Sequence, residues 1–252
     1  MVEGDTFDGG ELALATFLQA KEQDVPLSLL PAVMGGANHH RSITYNAEFG
    51  EIIPRDIEGR RVAVRSYSQT TGVWVRGFLC EDFGVDLDRV TWVCASGPHV
   101  AGCAEPANVE RVPTDTNLGQ MLLSGEVSAL IVGVEALPKG GELRPLIPLP
   151  NEAACKWSER HHGVPINHMF VLRSDLVKNR PDVVEEVYRM LSQAKAMAQP
   201  DGKSEFIRFG IGANASVIDL FCKLCRDQHI VRTNFDADAL FQDARKILRD
   251  AS

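Results

Sequence analysis

Short hydrophobic runs alternate with amphipathic segments along the chain as far as residue 173. Runs that are apolar on both faces, such as residues 127–132, are typical of buried parallel strands. Segments whose apolar residues recur every three or four positions, such as residues 71–83, indicate helices that pack by one face. The pattern predicts strands at 27–33, 42–46, 61–64, 89–94, 127–132 and 168–173, a short extended piece between prolines at 146–149, and helices at 71–83, 117–123 and 151–162.

Beyond residue 173 the periodicity is that of helices alone. One predicted helix carries Pro181 in its first turn, a second covers residues 215–228, and a third covers residues 236–248, with a loop at 199–212 before the second. Strands that alternate with helices indicate an α/β protein with open, mostly parallel sheets. Such sheets bind their ligands beyond the carboxyl ends of the strands, where loops and helix starts meet.

The segment 59–77 is the most informative one, because it predicts a strand, a polar loop and a helix in succession. A helix start presents several backbone N–H groups and the positive end of its dipole to one point, which suits an anion. The loop lacks the glycine spacing of a nucleotide site, so we expect a small organic anion. Thr70 or Thr71 is the expected helix cap, Trp74 is assigned to the core and Arg76 to the solvent-exposed face. The predicted ligand contacts are Ser66, Tyr67, Ser68, Gln69, Thr70 and Thr71.

The composition narrows the classes of partner. The chain has 252 residues, with 34 acidic and 26 basic side chains and a formal net charge of -8, which favours neither nucleic acid nor an anionic membrane surface. No apolar run is long enough to span a membrane. The first residues carry no secretory signal, so a cytoplasmic location is expected, and a periplasmic one if an upstream signal is removed. Cys222 and Cys225 lie on one predicted helix, and we interpret them as structural rather than as a metal or redox pair.

Several motifs resemble one known family. They are Phe7-Asp-Gly-Gly-Glu-Leu12, His40-Arg-Ser-Ile-Thr-Tyr-Asn46, the segment 59–77, Phe83-Gly-Val-Asp86, Val90-Thr-Trp-Val93, the segment 123–131 and Ile166-Asn-His-Met-Phe-Val-Leu-Arg173. In order and spacing they resemble the 4,5-dihydroxyphthalate decarboxylase-like proteins. That family shares the type 2 periplasmic-binding-protein fold with the NMT1/THI5-like solute-binding proteins.

The resemblance implies two α/β lobes joined by crossing strands at residues 42–46 and 169–173. Lobe one would combine residues 1–46 with 168–252, lobe two would be 47–167, and the ligand would lie between them. Family members usually carry a further strand and helix before the motif that begins at Phe7, so lobe one is expected to lack its first strand and helix. A homo-oligomer that completes this sheet is left open.

The implied reaction is the decarboxylation of a hydroxylated aromatic dicarboxylate. It needs a cation that binds carboxylate, for which Arg41 is the candidate, and a proton donor to the ring, for which His39, His40 and His168 are the candidates. The sequence also allows less specific interpretations, with residues 39–41 as a solvated polar turn and His168 as a core residue.

Asp8 is a further predicted substrate contact, and it would open the first helix together with Glu11. No organic cofactor is expected. A divalent metal is left open, although the seven histidines show no tight zinc spacing. The alternative function is a non-catalytic protein that binds a small organic anion for an ABC-type uptake system, with a membrane transporter as partner.

Overall fold

The computed structural model describes residues 7–198 and 206–248, which divide into two units. Unit two is Asn38–Trp157, and unit one comprises the described residues up to Ala37 and from Ser158 onward. Each unit is therefore built around its own sheet, and unit one is discontinuous in sequence. The boundaries lie earlier in the chain than the expected ones at residues 46 and 167.

The strands and helices of the described residues alternate as far as the ninth strand. The strands are β1 (Gly9–Ala13), β2 (Leu27–Gly36), β3 (Ile43–Asn46), β4 (Arg61–Val64), β5 (Thr91–Cys94), β6 (Val109–Arg111), β7 (Ala129–Ile131), β8 (Leu143–Pro145) and β9 (Ile166–Arg173). The helices are α1 (Leu14–Glu22), α2 (Thr70–Phe83), α3 (Leu118–Leu123), α4 (Pro150–His161), α5 (Ser174–Asn179), α6 (Pro181–Ala198), α7 (Ala215–Asp227), α8 (Ala237–Leu240) and α9 (Gln242–Ile247). The predicted extended piece at 146–149 is a series of bends, and the neighbouring strand β8 ends at Pro145.

Unit two contains a six-stranded sheet in the order β6-β5-β4-β7-β3-β8. The four strands from β6 to β7 run parallel, and β3 pairs antiparallel with both β7 and β8. The central strands are apolar on both faces because helices cover them. Ala63, Val93 and Leu130 of the sheet form one buried cluster with Met121 and Leu122 of α3. This packing holds the carboxyl ends of β4 and β7 side by side.

Unit one contains a three-stranded antiparallel sheet in the order β1-β9-β2. The first helix was expected to open at Asp8 and Glu11, but Glu11 lies within β1 and Asp8 is an exposed residue just before it. The strand forms there because it pairs along its whole length with β9, from Gly9 opposite Leu172 to Ala13 opposite His168. The local sequence favoured a helix, and tertiary pairing overrides that preference.

The two predicted crossing strands each belong to a single sheet. β3 pairs only within the sheet of unit two, and β9 pairs only within the sheet of unit one. The chain therefore passes from one unit to the other before β3, and returns between Trp157 and Ser158, inside α4.

Helices alone follow β9 in the described residues, as the sequence predicts. The predicted loop at 199–212 lies partly outside the described residues, which omit 199–205. The predicted helix at 236–248 is two short helices, α8 and α9, separated at Phe241. Asp236 caps α8 by accepting a 2.7 Å hydrogen bond from the amide of Ala239. No helix within the described part of the chain is long and apolar enough to cross a membrane.

None of the cysteines in the described residues forms a disulfide, and they differ in exposure. Burial raises the pKa of Cys94 and of Cys222 to about 12, whereas Cys80 and Cys155 are exposed. Because the thiolate is the reactive form, we expect iodoacetamide at about pH 8 to label Cys80 and Cys155 in the native protein and Cys94 and Cys222 only after unfolding. Peptide mass spectrometry measures this pattern, and rapid native labelling of Cys222 would contradict it.

Candidate functional site

An open cleft of about 680 Å³ lies in unit two at the carboxyl ends of β4 and β7. β4 ends at Val64 and β7 at Ile131, and the two parallel strands are neighbours, so the segments that follow them share one edge of the sheet. The polar lining residues are Arg65, Gln69, Asn117, Gln120 and Lys139. The volume is within the range of about 300–1,000 Å³ that is usual for small-molecule sites.

The charge of this cleft favours an anion. Arg65 and Lys139 are its charged lining residues, and none of the described lining side chains is acidic. The carboxylate of Glu135 lies beside Gly133, a lining residue, and Glu135 itself is outside the lining. The cleft therefore offers two cationic donors to a ligand although the whole chain carries a net negative charge.

The loop between β4 and α2 leads from Arg65 to Gln69, both of which line the cleft. The amide of Gln69 donates to the carbonyl of Ser66 over 3.1 Å, which closes a tight turn. Gln69 is the N-cap of α2 and makes no side-chain cap bond, so the expected cap at Thr70 or Thr71 is wrong. Gln69 has this position because the turn ends there, and both threonines already lie inside the helix.

Several backbone amide groups around the start of α2 lack a hydrogen-bond acceptor in the described chain. Among the described residues, no acceptor is found for the backbone N–H groups of Ser68, Thr71 and Gly72. The first N–H groups of any helix lack partners within the helix. The side-chain Oε1 of Gln69 is also buried, and no donor for it occurs in the described chain. The oxygens of an anion can accept from such N–H groups, whereas Oε1 of Gln69 is itself an acceptor and requires a donor.

Of the predicted loop contacts, Gln69 lines the cleft. The hydroxyl of Ser66 instead donates to the carbonyl of Gly97 over 2.8 Å and lies 3.3 Å from the hydroxyl of Ser68. Tyr67 and Thr70 are buried, and Thr71 is half-buried. The contribution of these residues to a ligand stays a prediction, and it would come from backbone groups more than from hydroxyls.

The sequence prediction missed Arg65 and Lys139. Arg65 had a usable signal, because it is the first residue after a buried parallel strand and thus lies at the carboxyl edge of the sheet. Lys139 had no usable signal in the sequence, because it lies in the segment after β7, far along the chain from the loop between β4 and α2.

The residues His39, His40 and Arg41 form a single 3₁₀ turn in unit two rather than the expected extended segment. Both histidines are buried, and Arg41 is exposed. The ring of His40 stacks on Phe78 with centroids 3.9 Å apart and lies edge-on to Trp157. This is the environment of a core histidine, and the predicted catalytic and carboxylate-binding roles of these three residues stay untested predictions.

His168 lies in unit one, where β9 carries it between β1 and β2. Its Nδ1 is 2.6 Å from Oε1 of Glu11, and the two side chains are 43% and 50% exposed. The contact is diagonal across the sheet, because His168 faces Ala13 on β1 and Glu11 lies two residues before it on the same face. Gly35 faces His168 from β2. A carboxylate on Nδ1 fixes the imidazole tautomer and leaves Nε2 for proton transfer.

His99 lies in the loop after β5, close to the charge of Arg65. Ser96 in that loop donates its amide to the carbonyl of Arg65 over 2.7 Å. Burial first, and the guanidinium of Arg65 second, hold the pKa of His99 below its usual range.

This shift predicts a pH effect on stability. The folded protein favours neutral His99, so its contribution is complete above the unfolded-state pKa of about 6.5. The contribution is lost as the pH falls from that value through the lower folded-state pKa. We expect R65M to raise the pKa of His99 and H99N to reduce the acid-side loss of stability. NMR titration of the histidines and denaturant unfolding between about pH 5 and 7.5 measure both effects. An unchanged pKa of His99 in R65M would contradict the assignment.

The order of elements and the cleft at the carboxyl edge of a parallel sheet define a protein with the periplasmic-binding-protein fold. No protein-family model matches the sequence. The chain is 26% identical over 210 residues to a 4,5-dihydroxyphthalate decarboxylase of Comamonas testosteroni, and 34% identical over 134 residues to one of Pseudomonas putida. The alignments cover 76% and 50% of this chain. They span 62% and 52% of the relatives, which is less than two thirds of either. The predicted resemblance is thus confirmed.

Solved structures agree on the fold. The alkanesulfonate-binding protein SsuA of Xanthomonas axonopodis pv. citri, bound to MOPS, has a TM-score of 0.56 at 14% identity over 93% of this chain and 80% of its own. The aliphatic sulphonate binding protein SsuA of Escherichia coli has a TM-score of 0.57 at 14% identity over 98% and 78%. The desulfurization enzyme DSZB has a TM-score of 0.58 at 15% identity over 97% and 88%. These identities establish the fold class alone.

Proposed function

We propose that this protein removes one carboxylate from a hydroxylated aromatic dicarboxylate of the 4,5-dihydroxyphthalate type. The observation that carries the proposal is the cleft of unit two, which Arg65 and Lys139 line together with Gln69 at the start of α2. The similarity to two 4,5-dihydroxyphthalate decarboxylases supports this substrate class.

The proposed binding mode follows from the chemistry of the cleft. The guanidinium of Arg65 can donate two parallel hydrogen bonds to one carboxylate, and Lys139 supplies a second positive charge. The amides at the start of α2 are oriented before the ligand arrives, so little reorganisation is needed when it binds. Apolar lining residues such as Leu118, Leu123 and Leu130 suit the faces of an aromatic ring.

The proposed reaction balances with a single proton. The hydroxyl para to the departing carboxylate pushes electron density onto the ring carbon, which accepts a proton. The carbon–carbon bond to the carboxylate then breaks, CO₂ leaves, and the bonding pair restores the aromatic ring. The product of 4,5-dihydroxyphthalate is 3,4-dihydroxybenzoate. The proton donor stays a prediction, and His168, whose Nδ1 lies 2.6 Å from Oε1 of Glu11 in unit one, is the candidate.

No step of this proposal passes through a metal or an organic cofactor. Over residues 7–198 and 206–248, no three His, Cys, Asp or Glu side chains lie together as a metal site requires. The carboxylate ligand takes its positive partners from Arg65 and Lys139 instead.

The test is to incubate the full chain with 4,5-dihydroxyphthalate and to follow 3,4-dihydroxybenzoate and CO₂ by chromatography and mass spectrometry. Turnover that survives EDTA supports the proposal in full. Binding of 4,5-dihydroxyphthalate without any product overturns the catalytic part, and absence of binding overturns the substrate class.

The alternative function is binding of a small organic anion without chemistry. The cleft favours it to the same degree, because Arg65, Lys139 and the helix start suffice for binding and need no proton donor. For a solute-binding protein we expect a periplasmic location and a transporter as partner. For a decarboxylase we expect a cytoplasmic location. Cell fractionation together with the turnover assay distinguishes the two.

A further inference from the structure

Arg76 is a fully buried arginine in the interior of unit two (0% exposed), although its place in the helical pattern predicted a solvent-exposed side chain. The guanidinium carbon lies 4.0 Å from the centroid of the Tyr67 ring and 5.2 Å from that of Trp92. Both aromatic residues are themselves buried. Enclosing a guanidinium costs more free energy than enclosing an apolar side chain of similar size. Stability alone therefore does not account for an arginine at this position.

The side chain of Arg76 reaches the start of its own helix. Helical side chains lean toward the N-terminus, so Arg76 extends over the preceding turn of α2. Gly72 leaves the space for it, since a Cβ atom there would lie only 3.2 Å from Nη1. The Nη2 of Arg76 donates to the carbonyl oxygen of Tyr67 over 2.6 Å. The guanidinium thus joins the loop before α2 to the first turn of the helix.

The hydrogen bond from Arg76 fixes one peptide plane in the loop between β4 and α2. In a trans peptide the carbonyl of one residue and the N–H of the next point in opposite directions. Because the carbonyl of Tyr67 points toward the guanidinium, the N–H of Ser68 points away from it. Among the described residues this N–H has no acceptor. Gln69, two residues after Tyr67, lines the cleft.

We propose that Arg76 is a positioning residue that holds the Tyr67–Ser68 peptide and so keeps the first turn of α2 ready for the carboxylate of an anionic ligand. The inference rests on the proposed function for its ligand class and on the Arg76 contacts for its mechanism. Arginine is required because a lysine cannot stack its charge on Tyr67 and at the same time donate from a rigid planar group.

The experiment compares R76M and R76K with the wild-type chain and with F78L. Phe78 lies on the same helix and packs against His40 and Trp157, so F78L lowers stability without touching the loop. Calorimetric titration with phthalate measures ligand affinity. Amide hydrogen exchange in the ligand-free protein measures how well the loop is ordered. The reporters are the N–H groups of Gln69 and Val73, which donate to the carbonyl oxygens of Ser66 and Gln69.

We expect R76M to weaken phthalate binding about tenfold or more, R76K to weaken it less, and F78L to leave it unchanged. Relative to F78L, the amides of Gln69 and Val73 exchange at least about tenfold faster in R76M, whereas those of β4 do not. If R76M fails to fold, the affinity and exchange of R76K are compared with those of F78L instead.

Equal exchange and equal affinity in R76M, R76K and F78L would overturn the inference. Faster exchange in R76M with unchanged phthalate affinity would overturn the proposal that Arg76 affects ligand binding. If the wild-type chain binds no phthalate, the proposed function fails, and the exchange data still decide whether Arg76 positions the loop.

Discussion

Replacing Arg65 by methionine should raise the dissociation constant for phthalate about 10- to 100-fold and lower kcat/KM for 4,5-dihydroxyphthalate to a similar extent. Hydrogen bonds to a charged group contribute about 1.5–3 kcal/mol, and R65M removes the donor that can bind a carboxylate with two parallel bonds. K139M should have a smaller effect, about tenfold or less, because an ammonium acts as a single mobile point charge. Calorimetry and initial rates at constant ionic strength measure these changes.

The matched control for R65M is R60M. Arg60 precedes β4 and Arg65 follows it, so the two arginines lie at opposite ends of one strand. Arg60 is exposed and lines a separate small cavity, and its loss changes the net charge by the same amount. We expect R60M to change affinity less than about twofold and R65M to weaken the salt dependence of binding. Equal effects of R60M and R65M would mean that net charge alone attracts the ligand and that the cleft does not bind it.

The location of this cleft follows from the sequence more directly than its composition does. The apolar run at residues 61–64 and the periodicity of 71–83 predict β4 and α2 to within one residue, because burial on both faces and burial on one face leave different patterns. The rule that ligands bind beyond the carboxyl ends of parallel strands then selects the loop between them. Gln69 and Arg65 lie in that region.

Contacts between distant segments could not be predicted. Arg76 is buried because Tyr67 and Trp92 enclose it and Gly72 leaves room, and no single helical pattern contains that information. Glu11 meets His168 because β1 pairs with β9, whereas the local sequence around Glu11 favoured a helix. His40 was predicted in an extended segment, and its packing against Phe78 and Trp157 places it in a buried turn instead. In each case tertiary packing outweighs a local preference.

The second large effect is expected at the contact between Glu11 and His168. We expect H168Q to lower kcat about 100- to 10,000-fold, because proton transfer by a positioned side chain contributes roughly that factor. The dissociation constant for phthalate should change less than about twofold, since the positive charges that attract its carboxylates come from Arg65 and Lys139, and His168 is not a lining residue of the cleft. E11Q should lower kcat about tenfold or more, because glutamine no longer presents a carboxylate to Nδ1 and the imidazole loses its fixed tautomer.

Single-turnover rates and calorimetry separate the two quantities, because a loss of proton transfer changes kcat and leaves binding intact. H229N is the control: His229 is an exposed histidine of the same unit with a left-handed backbone, a conformation that asparagine tolerates well. It should keep wild-type rates. If H168Q turns over 4,5-dihydroxyphthalate as fast as H229N, the proton comes from another group. The exposed carboxylate–imidazole contact of unit one would then be a surface ion pair, whose contribution to stability is about 0–1 kcal/mol.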